Sequence, residues 1–157
     1  MRLTHAPIVV SDQDEALKFY TQKLGFEKRA DYQQPGKPRW LTVAPKGQDL
    51  EFVLVEGKSR VELGLGPEAG TGGYHIALTT ADCRKDFEAL KSRGVDFNVG
   101  SYTKPQKQAW GISAAFKDPD GNQFVLIQPN LIGKAYTAAN RRKARRAASK
   151  KKRSVKT

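Results

Sequence analysis

The sequence has little of what would tie a protein to a membrane or to an oxidising environment. Its 157 residues contain one cysteine, Cys83, so an internal disulfide is excluded and a reducing compartment is expected. No apolar run approaches the roughly 20 residues that cross a bilayer, and no signal peptide precedes the first predicted strand. We therefore expect a cytoplasmic protein without a membrane span, in which Cys83 has a structural role.

Acidic residues are absent from the end of the chain. From Lys134 onward there are 11 basic residues and no acidic one, out of 28 basic and 16 acidic residues in the whole sequence. Residues 1–133 therefore hold 17 basic and 16 acidic residues, a net charge of +1, although the formal net charge of the chain is +12. The part of the chain expected to fold is almost neutral, and the excess positive charge belongs to a tail.

The tail, residues 131–157, has few apolar residues to pack and its charges repel one another, which predicts disorder when it is free. Its charge favours nonspecific binding to nucleic acid or another polyanion, an interaction that weakens steeply with salt. Two basic runs also resemble a nuclear-localisation signal, which would apply in a eukaryotic cell. A solubilising extension is the alternative. The residues predicted to contact a polyanion are Arg141, Arg142, Lys143, Arg145, Arg146, Lys150, Lys151, Lys152 and Arg153.

The remainder of the chain repeats one pattern, and each copy carries a histidine near its start. His5 recurs as His75, because L-T-H-A-P-I-V-V-S-D matches G-Y-H-I-A-L-T-T-A-D at an offset of 70 residues. Trp40 and Trp110 show the same offset, and P-K-G-Q-D-L-E matches P-D-G-N-Q-F-V at an offset of 74. Two copies of one unit predict a pseudo-twofold site between them.

Each copy has the pattern of a β-α-β-β-β module. In the first, a strand in residues 3–10 precedes a helix from Asp12 to Gly25, with strands near 26–32, 39–44 and 50–55. In the second, a strand at 74–80 precedes a helix from Asp82 to Gly94, with strands near 96–100, 110–116 and 123–128. The glycine-rich residues 57–73 connect them. We predict an α+β domain over 1–130, with modules at about 1–57 and 73–130.

Four segments carry a resemblance to a known family: M-R-L-T-H, D-E-A-L-K-F-Y-T-Q-K-L-G-F, G-Y-H-I-A-L and D-P-D-G-N-Q-F-V-L-I. Together they resemble the vicinal oxygen chelate superfamily, which includes glyoxalase I, extradiol dioxygenases, fosfomycin-resistance enzymes and bleomycin-binding proteins. The resemblance covers about residues 1–130. It implies that the two modules form a curved mixed sheet around a cleft, but it does not specify one reaction.

The resemblance also implies a metal site. In glyoxalase-like members each module supplies one ligand from its first strand and a carboxylate from its last, which places ligands at His5, His75 and Glu51. Two imidazoles and one carboxylate suit Zn²⁺, Ni²⁺, Fe²⁺ or Mn²⁺ acting as a Lewis acid. The fourth position departs from this pattern, because the motif D-P-D-G-N-x-x-E places Val125 there as the equivalent of Glu51. Gln123 lies on the same strand face, two residues away.

Aromatic residues are the largest candidate walls of the cleft. Trp40 and Trp110 are predicted to bind substrate together with the apolar Val125, and such walls suit planar or amphipathic ligands. The alternative is that both tryptophans pack against the helices.

Three functions remain open. The first is a metal-dependent lyase, isomerase or dioxygenase with His5, Glu51 and His75 as ligands, which the presence of three of the four ligands favours. The second is a metal-free binder of small, antibiotic-type molecules similar to the bleomycin-resistance proteins, for which the resemblance implies a homodimer with shared grooves. The third is a polyanion-associated protein that acts through the tail.

Overall fold

The computed structural model describes residues 1–58, 76–100, 103–131 and 133. The first module is a four-stranded mixed sheet with the order β1-β4-β3-β2, in which β1 runs parallel to β4 and the other pairs are antiparallel. This confirms the predicted β-α-β-β-β pattern. Its elements are β1 (His5–Val10), α1 (Gln13–Lys18), β2 (Glu27–Tyr32), β3 (Trp40–Ala44) and β4 (Glu51–Glu56), with α1 continuing as a π-helical segment (Phe19–Lys23).

The second module repeats this topology in a separate sheet with the order β5-β8-β7-β6, in which β5 runs parallel to β8. Its elements are β5 (Ile76–Thr79), α2 (Cys83–Ser92), β6 (Gln106–Gln108), β7 (Gly111–Lys117) and β8 (Gln123–Pro129).

The prediction of a strand at 96–100 is wrong. In that segment, Asp96 forms an isolated bridge with Lys117, and the strand that pairs with β7 is β6 at Gln106–Gln108. Val95, Phe97 and Val99 are all buried, so their alternation reflects packing into the core and not membership of a sheet. Alternating apolar residues indicate an extended segment with one buried face, but they do not show that it has a strand partner.

Both helices begin where the sequence predicts. Asp12 and Asp82 have extended backbones, and each carboxylate accepts hydrogen bonds from two backbone N–H groups in the first turn. These bonds satisfy donors that the helix itself leaves free. Hydrogen bonds donated by the backbone N–H groups of Glu15 and Asp14 hold the pKa of Asp12 below its usual value.

The two modules share one hydrophobic core. Tyr20 of the first module lies with its ring centroid 6.1 Å from that of Phe124 in the second, and Phe124 stacks on Phe116 at 5.0 Å. Burial of these large rings favours a fixed packing of one module against the other. The fully buried side chains include Tyr20, Phe116, Phe124, Leu41, Leu54, Val10, Val43, Thr42, Cys83 and Ser113.

Cys83 is buried at the start of α2, and burial raises the pKa of its thiol. A raised pKa reduces the thiolate fraction, which supports the structural role expected for this residue. Within the described ranges, no helix has both the length and the apolar character needed to cross a bilayer. Residues 59–75, which comprise most of the connector and His75, and the basic tail from Lys134 onward lie outside the described residues.

Candidate functional site

The sheet of the first module has two unlike faces. Ile8 and Val10 on β1, with Leu54 on β4, point into the core and are buried. The opposite face, which we call the open face, carries His5, Pro7 and Val9 on β1, Glu51, Val53 and Val55 on β4, and Trp40 and Thr42 on β3. Strand alternation predicts this division, since successive side chains point to opposite sides of a sheet.

His5 and Glu51 come together on the open face. They are register partners in the parallel β1–β4 pair, and His5 Nε2 lies 3.7 Å from Glu51 Oε2. Thr42 Oγ1 donates a hydrogen bond of 2.6 Å to the same carboxylate oxygen. Because Thr42 is fully buried, it holds the carboxylate in one orientation. The other imidazole nitrogen, His5 Nδ1, lies 3.0 Å from Thr4 Oγ1.

Trp40 covers part of this face. Its ring centroid lies 5.6 Å from that of His5 in an edge-to-face arrangement, and the residue remains 38% exposed. A pocket of about 630 Å³ adjoins the indole. Its volume falls in the range of small-molecule sites. It is lined by Gln13, Gln33, Pro38, Arg39, Trp40, Val53, Leu54, Val55 and Glu56.

A network of polar side chains fixes the backbone beside Trp40. The Arg39 guanidinium donates to Asp31 through Nε at 2.8 Å and through a terminal nitrogen at 3.0 Å, and it donates to Asp14 at 2.7 Å. The two bonds from Arg39 to Asp31 are the main cause that lowers the pKa of Asp31 to about 2. Behind Arg39, the buried Gln13 amide donates to the carbonyl of Leu54 at 2.7 Å and to that of Arg39 at 3.3 Å. The sequence analysis did not identify Gln13 or Thr42 as part of the site. Strand alternation could have placed Thr42 on the same face as Trp40, but nothing in the sequence marks Gln13.

The strand registers change the equivalence of the two modules. Phe52 pairs with Ala6, and Phe124 pairs with Ile76, the residue that matches Ala6 in the histidine-bearing repeat. Phe52 is therefore the counterpart of Phe124, and one residue earlier Glu51 is the counterpart of Gln123. The expectation that Val125 is equivalent to Glu51 was wrong by two residues. The glycine match that led to it aligned Gly47, four residues before β4, with Gly121, two residues before β8.

Val125 itself corresponds to Val53. Each lies on the last strand of its module, Val53 paired with Pro7 and Val125 paired with Ala77. Val53 is 8% exposed and Val125 is partly buried. Val53 lies two residues after Glu51 and Val125 lies two residues after Gln123, so each valine points to the same face of its sheet as the residue two positions before it.

Trp40 and Trp110 are not equivalent either. Thr42 pairs with Val53 and Ala115 pairs with Val125, so the counterpart of Trp40, two residues before Thr42, is Ser113. Trp110 lies in the turn between β6 and β7, is 39% exposed, and accepts a hydrogen bond from Asn130 N through its carbonyl at 2.9 Å. The offset of 70 residues matched the two tryptophans in the sequence, but the hairpins of the two modules differ in length, so equivalent strand positions are separated by a different offset.

The donor set of the described residues does not fit the four-ligand pattern that the resemblance implies. His5 and Glu51 are close, but the counterpart of Glu51 is an amide, and the other symmetric pair on these strands, Val53 and Val125, has no donor atoms. The remaining predicted ligand, His75, lies outside the described residues, as do the nine basic tail residues predicted to contact a polyanion. Across the ranges that can be described, no three His, Cys, Asp or Glu side chains cluster as a metal site.

A second, larger cavity of about 710 Å³ lies between the modules on the core side of the sheets. Ala6 and Phe52 of the first module and Ile76 and Leu126 of the second contribute apolar walls. None of the open-face side chains of the first module, His5 and Glu51 included, lines this cavity.

Known proteins resemble the chain over most of its length. The structure of UcmS2 is 36% identical, with a TM-score of 0.65, over 81% of this chain and 97% of that one. The structure of TnmS3, described as an antibiotic binding protein from Streptomyces sp. CB03234, is 35% identical, with a TM-score of 0.62, over 83% and 97% of the two chains. The lactoylglutathione lyase of Salmonella typhimurium is 28% identical over 85% of this chain and 97% of its own length.

A family model described as the Glyoxalase/Bleomycin resistance protein/Dioxygenase superfamily matches residues 2–126, which span the first module and the second as far as the middle of β8, and which exclude the basic tail. With the two β-α-β-β-β modules and their paired parallel strands, this match shows that the chain belongs to the Glyoxalase/Bleomycin resistance protein/Dioxygenase superfamily.

Proposed function

We propose that the protein binds an organic small molecule on the open face of the first module without using a metal ion. One observation carries the proposal: Trp40 presents a partly exposed indole that contacts the His5 ring and also lines a pocket of about 630 Å³. An indole face with polar groups on either side suits a planar ligand that has hydrogen-bonding substituents.

The polar groups of this face are arranged for hydrogen bonding. The Glu51 carboxylate accepts one bond from Thr42 and retains further lone pairs that can accept from a ligand. Around it, Val9 and Val55 are 39% and 41% exposed and offer apolar contact. The similarity to TnmS3, an antibiotic binding protein, supports the same class of function for this chain.

We extend the proposal to a cytoplasmic homodimer. The open face leaves Val9, Val55 and Trp40 each more than a third exposed, an arrangement that a second copy would bury. A symmetric dimer would then complete the ligand cleft on both sides.

A metal-dependent lyase, isomerase or dioxygenase is the second candidate. It is favoured by the 3.7 Å approach of His5 Nε2 to Glu51 Oε2 and by the lactoylglutathione lyases among the relatives. In this alternative, His5, Glu51 and His75 would hold a Zn²⁺, Ni²⁺, Fe²⁺ or Mn²⁺ ion, which would supply a Lewis acid for substrate oxygens.

Binding of Nile red, a neutral planar dye whose fluorescence rises in apolar sites, tests the first proposal. We expect saturable binding to the chelator-treated protein and at least tenfold weaker binding to Trp40→Ala, because that variant loses the indole wall. Trp110→Ala is the matched control, since Trp110 has similar exposure but lies in a turn of the other module. Equal binding to both variants, or no binding to the wild type, would contradict the proposal.

A further inference from the structure

The strand registers offer two pairs of symmetric positions from which the last strands of the two modules could place carboxylates near the starts of the first strands. The first pair is Glu51 and Gln123, and the second is Val53 and Val125. The motif D-P-D-G-N-x-x-E, counted along Asp118–Val125, identifies the second pair as the carboxylate positions that the resemblance implies. Neither pair supplies two carboxylates in this chain.

We infer that Val53 and Val125 occupy both carboxylate positions of the superfamily's metal site, and that Glu51 is instead a fixed hydrogen-bond acceptor for an organic ligand. The role given to Glu51 rests on the proposed function and deepens it. The role given to Val53 and Val125 rests on the strand registers alone.

The surroundings of Glu51 support its reassignment. It lies directly beside His5 in the parallel pair, whereas Val53 lies one pleat further along the same face, about 6–7 Å away along the strand. The Thr42 hydroxyl, 2.6 Å from the carboxylate, comes from the neighbouring strand and is fully buried. In the second module the residue across from Val125 is Ala115, which has no hydroxyl to offer. The carboxylate and its hydroxyl support are therefore particular to the first module.

The valines have a consequence for the ligand. Val53 is nearly buried and lines the pocket beside Trp40, so the position that would hold a charged ligand to a metal contributes apolar surface instead. An apolar body over Val53 and Trp40, with a hydroxyl or ammonium donor directed to Glu51, is the ligand chemistry that this arrangement recognises.

Restoring the carboxylates tests the inference. Val125→Glu and the double variant Val53→Glu/Val125→Glu would be loaded with excess Ni²⁺ or Zn²⁺, dialysed, and measured by inductively coupled plasma mass spectrometry beside the wild type. We expect less than about 0.1 equivalent of metal in the wild type and about one equivalent in the double variant, because two carboxylates then join the histidine ligands that the resemblance implies, His5 and His75. Adding His5→Ala should abolish the gain.

Two controls make the assignment specific. Val55→Glu places a carboxylate on the same strand and face as Val53, one pleat further on, and should gain no metal. Glu51→Gln in the double-variant background should retain the metal. Val125→Glu alone should raise the metal content above the wild-type level. Residue 125 is less buried than residue 53, so this variant keeps the test valid if a buried carboxylate at residue 53 prevents folding.

Each contrary outcome is distinct. One equivalent of metal in the wild type that disappears in Glu51→Gln would overturn the inference and support the metal-dependent candidate. A folded double variant and a folded Val125→Glu that gain no metal would overturn the assignment of residues 53 and 125. Failure of Nile red to bind, together with the expected metal results, would contradict the proposed ligand function and leave the register assignment intact.

Discussion

The two modules share their buried face and differ on their open face. Phe52 and Leu54 on β4 are matched by Phe124 and Leu126 on β8, and all four are buried in the common core. On the other face, Trp40, Thr42 and Glu51 are matched by Ser113, Ala115 and Gln123. Packing restricts the core-side positions to large apolar side chains, whereas the open face also holds small, polar and aromatic side chains, even where Thr42, Ser113 and Ala115 are buried. Among these matched open-face positions, the aromatic and anionic groups that could recognise a ligand therefore lie in the first module.

The modules also differ in how far their hairpins extend. The β7–β8 ladder continues to Gly111, which pairs with Pro129, whereas the β3–β4 register covers Thr42 and Val43. The first module instead fixes the start of β3 with side chains, through Arg39 and its two aspartates. One hairpin end is stabilised by close backbone contact and the other by an ion-pair network. Substitutions at the two ends should consequently have effects of very different size.

The largest effect is expected at Gly111. A Cβ atom there would lie 2.1 Å from the carbonyl oxygen of Gln128, a backbone atom that cannot move without breaking the ladder. Gly111→Ala should lower the free energy of unfolding by about 3 kcal/mol or more, which for a chain of this size is a fall in Tm of roughly 6–12 °C. Thermal unfolding followed by circular dichroism measures it.

Gly47→Ala in the β3–β4 turn is the matched control. Gly47 has a φ of +74°, but nothing lies within 4 Å of the added Cβ, so backbone strain alone should cost about 1 kcal/mol. Equal losses of stability in the two variants would show that the close contact at Gly111 does not determine the stability of the second hairpin.

An intermediate effect is expected where the modules meet. Tyr20 of the first module donates a hydrogen bond of 2.6 Å to Asp118 of the second, and both residues are buried. Burial raises the pKa of Asp118, so its carboxylate depends on donors such as this hydroxyl and the Asn122 amide. Tyr20→Phe should cost about 2 kcal/mol, because it leaves a buried carboxylate with one donor fewer.

Chemical denaturation of Tyr20→Phe beside Tyr32→Phe measures this contribution. Tyr32 is 55% exposed on β2, so loss of its hydroxyl should change the free energy of unfolding by less than about 0.5 kcal/mol. A Tyr20→Phe effect no larger than that of Tyr32→Phe would mean that the junction is stabilised by ring packing and not by the hydrogen bond.

The repeat in the sequence was sufficient to predict the modules but not their alignment. Strand alternation and the aspartate caps predicted the element order, because both are local properties of the chain. Prediction of the site depended on which residues of the two modules are equivalent, and turns of unequal length changed this equivalence. The counterpart of Glu51 is two residues away from the predicted one, and the counterpart of Trp40 is three residues away. A glycine match locates a turn, but strand register is determined by packing on the buried face. Matching Phe52 to Phe124 instead of Gly47 to Gly121 would have predicted the correct pairs.

The smallest effect concerns the ion-pair network that fixes the start of β3. Hydrogen bonds from Arg39 lower the pKa of Asp31 to about 2 from its usual value of 3.8. Because the pKa is lower in the folded state, this carboxylate contributes stability above about pH 4 and loses that contribution as the pH falls towards 2. Asp31→Asn should therefore be less stable than the wild type at pH 7, by less than about 1 kcal/mol because the side chain is partly exposed, and the difference should shrink as the pH falls to 2.

Urea unfolding of both proteins between pH 2 and pH 7 measures this difference, with Asp96→Asn as the control in the second module. Asp96 forms a single ion pair with Lys117 at 3.2 Å and is 50% exposed, so a smaller loss is expected there at neutral pH. If Asp31→Asn instead became relatively less stable on acidification, the ionised Asp31–Arg39 pair could not be what stabilises the start of β3. The backbone next to Trp40 would then depend on the buried Gln13 amide, which is uncharged and insensitive to pH in this range.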